Sequence, residues 1–290
     1  MMKGAPDFFC AAVAALLLFG CKPSSQASVD ALPRGQSALF DAASSAPPLQ
    51  RGAVDTQLTQ LANELIARHL PNEAFDPELE CWRDASPDGT RYCLTATNFA
   101  KVAEGGRDVL YVLAANVTPA DSDTYQYSHA SAGWVRAFAA ELQPDGQLGT
   151  DLAAVGGALY GSNGSSGAEE ATLLRLGHSH HAWHFVSGGV WQGIVVTQHV
   201  LLAREGSTFI EVSAIPETEE ADQANRYDIA VDFADITRRD FPLIVSKSAV
   251  NLESLAASTS AQVLERWTVE RHAATGLYRL PNEAEKESMP

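Results

Sequence analysis

The sequence predicts a mainly β fold, an antiparallel sandwich or open barrel carrying one or two short helices. Three observations carry this expectation. Short runs rich in Val, Ile, Tyr, Phe and Thr recur along the body. Turn sequences such as Glu104-Gly105-Gly106, Gln143-Pro144-Asp145-Gly146 and Arg204-Glu205-Gly206-Ser207 bound them. No helix of good length alternates with these runs, as the crossovers of a parallel α/β sheet would require. No segment repeats at propeller or solenoid spacing.

The chain begins with Lys3 ahead of a 13-residue apolar run, Phe8 to Gly20, that contains no charge. A stable membrane-spanning helix needs about 20 residues, so the run fits the apolar centre of an export signal instead. It ends in Leu18-Phe19-Gly20-Cys21. This ending resembles the lipobox of bacterial lipoproteins. The resemblance implies cleavage before Cys21 and acylation of its sulfur and its new amino group. Lys22 follows the cysteine, where an inner-membrane retention signal would have aspartate, so the resemblance points to the outer membrane, facing the periplasm. Residues 1–20 are then the signal peptide. Residues 21–53 are the lipidated cysteine and a flexible Ser/Ala/Pro tether.

Residues 54–281 remain as a single β-rich domain of about 230 residues, an ordinary size for one all-β unit. Residues 282–290 read as a frayed polar tail. The hydrophobic share of 46% is enough for a core. The formal net charge of −16 opposes phosphate backbones and anionic lipid surfaces, and no Lys/Arg run is interleaved with aromatics. Nucleic-acid binding is discarded. Cys10 leaves with the signal and Cys21 is taken by lipid, so Cys81 and Cys93 are left to form one disulfide in an oxidising compartment. Between them lies Ser86-Pro87-Asp88-Gly89, a turn that sets the two cysteines across a hairpin. Closing such a loop stabilises a fold by about 3 kcal/mol in the chain-entropy model. The same segment matches half of a calcium loop through Asp84, Ser86 and Asp88. Thr95 stands where that loop needs a bidentate Glu, and a plain turn is the better reading.

The elements follow in order. Asp55 suits a helix N-cap, and Leu58, Leu61, Leu65 and Ile66 form one stripe ending near Pro71. That helix is expected at a sheet edge or carrying the tether. Cys93 to Val102 and Val109 to Val117 read as a hairpin. Trp134 to Leu142 reads as a strand, with a helical alternative because Ala is frequent there. Ala153 to Gly167 is a mobile glycine-rich loop, lacking the Gly-Lys-Ser/Thr ending of a phosphate cradle. Trp191 to Ala203 is apolar on both faces, as for a central strand, and Thr208 to Ile215 returns from it. Glu217 to Asp222 is a solvated loop. Tyr227 to Phe233 alternates as a half-buried strand, and Phe241 to Ser246 and Val263 to Glu270 add two more.

Few residues point to chemistry. The stretch LGHSHHAWHF holds four of the eight histidines. Read as one strand, it places His178, His180 and His184 on one face and His181, Trp183 and Phe185 on the other. His178 and His180 could chelate zinc or copper, with His199 or a carboxylate as third ligand. The competing reading is a run of exposed, partly charged histidines at a strand edge. Ser131, in SHASAG, loosely matches a nucleophile elbow, although His129 occupies the first glycine's place. Tyr125 and Tyr127 sit in a polar stretch and could form a recognition loop. No catalytic constellation and no cofactor motif stand out. The sequence therefore leads to a tethered, non-enzymatic envelope lipoprotein whose domain binds a periplasmic protein. A metal-binding protein and a hydrolase are the alternatives.

Overall fold

A computed structural model describes residues 56–71, 74–117, 124–154, 157–219, 222–249 and 262–281. Cys21, the tether, Asp55 and the tail lie outside the described residues.

Among the described residues there is one α-helix, α1 (Thr56–His69), which buries Leu61, Ala62, Leu65 and Ile66. It covers a sheet face rather than an edge. The first sheet contains β1 (Phe75–Asp76), β2 (Cys81–Ala85), β3 (Arg91–Glu104), β4 (Arg107–Asn116), β5 (Gly133–Leu142) and β6 (Leu148–Ala154), adjacent in that order. A short β7 (Ala158–Tyr160) pairs with β5. The second sheet is built on β8 (Thr172–Gly177), β9 (His180–Trp191) and β10 (Ile194–Glu205). Both β11 (Thr208–Glu211) and β12 (Ser213–Thr218) pair with β10. The third is β13 (Asn225–Val231), β14 (Leu243–Ala249) and β15 (Val263–Val269), and β16 (Tyr278–Arg279) joins β12 in parallel. Every other pairing is antiparallel.

Four layers result: helix, sheet, sheet, sheet. The period-two alternation of side chains explains how three cores fill from few strands. Along β4, Leu110, Val112 and Ala114 enter the core under α1, while Val109, Tyr111, Leu113 and Ala115 enter the core shared with the second sheet. There they meet Trp183, Phe185, Val200 and Leu202. The other face of β9 and β10 sends Ala182, Leu201 and Ala203 to Tyr227, Leu243 and Val245 of the third sheet. Each fully buried Leu, Val or Phe contributes about 1.5–3 kcal/mol relative to exposure. Strands buried on both faces are largely apolar, which is why β5, Arg136 and Glu141 apart, lacks an alternating pattern. Its alanines let neighbouring layers approach, so the helical alternative for Trp134 to Leu142 gives way to a strand.

The disulfide is in place, with Cα atoms of Cys81 and Cys93 5.4 Å apart. The turn between them is closed by Ser86 N–H donating to the Thr90 carbonyl at 3.0 Å and Gly89 N–H to the Ser86 carbonyl at 2.9 Å.

Three readings change. The proposed strand Trp191 to Ala203 is the second arm of a hairpin whose first arm ends at Trp191. Gln192 and Gly193 turn the chain with φ of 52° and 87°, the left-handed pair of a two-residue turn that matches strand twist. The glycine-rich segment includes β7, and Gly164 is tied to Ser131 and Asn116 through its N–H and carbonyl, both at 2.8 Å. Glu217 belongs to β12 and is buried, engaging Arg226, Thr197 and Thr218, where a solvated loop was expected.

Candidate functional site

The β9–β10 hairpin pairs Ala182 with Ala203. The same register continued sets His181 opposite Arg204 and His180 opposite Glu205. Successive residues face opposite ways, so one histidine and one charged partner go to each side of the sheet.

On the third-sheet side, His180 Nδ1 lies 3.0 Å from Asp240 Oδ1, and its Nε2 lies 3.3 Å from Glu205 Oε1. Arg271 Nη1 reaches the same two carboxylates at 2.6 Å and 3.3 Å and also donates from Nε to the Gly276 carbonyl. Burial pushes the His180 imidazole below its ordinary range, opposed by Glu205 and Asp240. Burial also works against the charge of Arg271, yet the two carboxylates hold its guanidinium above its usual value.

On the first-sheet side, Arg204 pairs with Glu104 and donates from Nε to Tyr111 Oη at 3.0 Å. Tyr111 in turn donates to Glu104 at 2.7 Å, and His181 Nδ1 lies 3.6 Å from the same carboxylate. Burial would raise the Glu104 pKa, but His181, Tyr111 and Arg204 together bring it below the ordinary carboxylate value. One hairpin end therefore ties all three sheets together by charge.

Above this network is a cleft of about 500 Å³ lined by His178, Ser179, His180, Glu205, Thr237 and Arg239, among others. The loop of residues 235–240 forms one wall. It is joined to the β8–β9 turn by His178 N–H donating to the Arg238 carbonyl at 3.0 Å and Phe241 N–H to the Leu176 carbonyl at 2.7 Å. Gly177 is required for this approach, since a Cβ there would fall 1.7 Å from the Arg239 carbonyl oxygen. Arg239 stands at the rim with its side chain 82% exposed, 3.7 Å from Glu205 and 3.8 Å from Asp240.

The expected zinc or copper set is not brought together. His178 sits in the β8–β9 turn rather than on a strand, because His178 and Ser179 reverse the chain between the paired Gly177 and His180, and it is exposed. His180 is held between carboxylates. His199 pairs with Val186 across the hairpin, six residues along β10 from Glu205, or about 20 Å at the usual rise. It belongs to a separate buried pair. His199 Nε2 donates to the Tyr227 carbonyl at 2.8 Å, leaving Nδ1 to accept from His184 Nε2 at 3.0 Å. Burial, then His199, pushes the His184 pKa down to about 3. Among the described residues no cluster of three or more His, Cys, Asp or Glu is arranged to hold a metal.

Ser131 Oγ is engaged with Ser128, accepting its N–H at 3.0 Å and lying 3.1 Å from its Oγ. Tyr125 is buried against the disulfide. Tyr127 stacks on Tyr92 and donates to the Arg91 carbonyl at 3.1 Å, so this pair packs the first sheet rather than forming an open recognition loop. Asp240, Arg271, Arg239 and Glu104 escaped sequence reasoning, since each is far along the chain from His180 and His181. The one available signal was the turn at Gln192-Gly193, from which the pairing of His180-His181 with Arg204-Glu205 follows by counting outward. Compared with protein-family models, curated proteins and solved structures, the chain matches none.

Proposed function

We propose that the chain is a lipid-anchored bacterial envelope protein, held through Cys21 on its tether in the outer membrane and facing the periplasm. Its β domain is a binding module that engages a periplasmic protein through the cleft beside His180. The observation supporting this is Arg239. Its exposed guanidinium sits 3.7–3.8 Å from two carboxylates that Arg271 already serves at closer range. It can turn outward to make a bidentate pair with a partner's carboxylate at little internal cost. Arginine over a rigid polar floor is a common energetic anchor of protein interfaces.

A photoreactive amino acid at Ser179 or at Arg239, in full-length protein exported to a bacterial envelope, tests the module. The expected result is a discrete protein adduct from both positions and none from a control at exposed Asp145. Arg239→Ala should weaken the Ser179 adduct. The same adduct pattern from all three positions would contradict the reading. Separately, Cys21→Ser should abolish fatty-acid incorporation and release the chain from the membrane fraction.

A further inference from the structure

The other end of the β9–β10 hairpin has the opposite character. The last pairing of β8 with β9 is Thr172 with His184, and the last pairing of β12 with β10 is Thr218 with Thr197. Beyond them, Gly188 to Val196 continues as a two-stranded ribbon closed by the Gln192-Gly193 turn. Val190 is 61% exposed and Val195 and Val196 are each 37% exposed. By strand alternation Val190 and Val195 face one side and Val196 the other. Residues 176–203 contain no Asp, Glu, Lys or Arg, in a chain where such residues make up 19%.

We infer that this hairpin end is a membrane contact, dipping into the headgroup–acyl boundary of a phospholipid bilayer with low surface charge. Three features select that occupant. Apolar side chains on both faces of a narrow ribbon are covered only by a medium that surrounds it, whereas a second copy laid against one face leaves the other in water. The ribbon's outer backbone groups need hydrogen bonds, which the hydrated boundary supplies and the hydrocarbon centre does not. Val195 has this need met already, since Gln223 accepts its N–H at 3.0 Å and donates to its carbonyl at 2.7 Å. The ribbon's own residues carry no charge, whereas Glu217 and Glu219 stand beside it through Thr197 and Gln223, so an uncharged lipid surface accepts it and an anionic one is opposed. The inference rests on the envelope reading above for its setting. On that reading an anchored domain meets the membrane at high effective concentration, and a shallow contact suffices. The contact would turn the cleft, at the far end of the same hairpin, away from the bilayer.

The test uses the full chain carrying Cys10→Ser and Cys21→Ser, with Val190→Cys or Val195→Cys bearing an environment-sensitive dye. Phosphatidylcholine vesicles should shift the emission to the blue at both positions and allow quenching by brominated acyl chains. A dye at Ser207→Cys, in the turn at the other hairpin end, should not respond. Equal parts phosphatidylglycerol at low salt should weaken the response severalfold. Val190→Gln should weaken it at least threefold in the chain labelled at 195, with the thermal midpoint unchanged. Vesicle binding without a response at 190 and 195 would mean that only the N-terminal apolar run inserts, and would overturn the inference. A blue shift that grows with protein concentration in the absence of lipid would assign the surface to a second copy, and overturn it too. The dye reports on unacylated protein, so failure of Cys21 acylation leaves the result readable.

Discussion

The two ends of one hairpin differ in every respect that matters for stability and contact. At the open end, His180, His181, Arg204 and Glu205 bind outward to both neighbouring sheets through Glu104, Tyr111, Asp240 and Arg271. At the turn end, the hairpin's own residues carry no charge and valines face solvent. The same backbone ladder runs through both. The difference lies in what packs on either side, and it predicts that substitutions at the two ends will act on different properties.

Glu104→Ala should have the largest effect. It leaves Arg204 and His181 beside a deleted buried carboxylate, and breaking a buried pair this way costs about 3–5 kcal/mol. Urea unfolding of the disulfide-intact chain measures it, and a loss under about 1 kcal/mol would mean that water already serves Arg204. Reduction of Cys81–Cys93 comes next, at about 3 kcal/mol in the chain-entropy model. Because that bridge staples β2 to β3 within the first sheet, it should lower stability without altering the contrast between the hairpin ends.

Acidification gives a graded effect. His184 goes from an ordinary 6.5 to about 3 on folding, so the unfolded chain binds the extra proton between those values. Stability is complete above pH 6.5 and falls as pH drops toward 3, by up to about 1.4 kcal/mol per unit for this group. His199, also lowered by burial, acts in the same direction. His184→Gln should flatten the slope in a pH series of unfolding curves; an unchanged slope would place the titrating group elsewhere. The smallest effect belongs to the turn end. Val190→Gln should change stability by less than about 0.5 kcal/mol, as for exposed positions generally.

Much of the architecture was legible in the sequence. Glu104-Gly105-Gly106 and Arg204-Glu205-Gly206-Ser207 mark their turns because glycine supplies the left-handed backbone there, and the Cys81/Cys93 hairpin declares itself through Pro87-Asp88-Gly89. The alternation of His181, Trp183 and Phe185 against His180 and His184 is present in β9, whereas His178, expected on the same face as His180, lies in the turn before it. The Gln192-Gly193 turn was hidden because Gln is an unusual left-handed residue and apolar runs continue on both sides of it. Without that turn, β9 and β10 had no register, and His180 had no visible relation to Glu205. The stacking of a third sheet was hidden for a different reason. Strands buried on both faces look alike whether one layer or two lie beyond them. Arg271 and Asp240 reach His180 only because that third sheet folds back over the second.

Amide hydrogen exchange along β9 and β10 in the full chain tests the contrast most directly. Amides at 181–185 and 200–204 should exchange at the rate of global unfolding, since ion pairs and two cores hold them. Amides at 188–196 should exchange orders of magnitude faster through local opening of the ribbon. Equal protection at both ends would contradict the account, because the turn end would then be as firmly packed as the charged end and would offer no independent surface for contact.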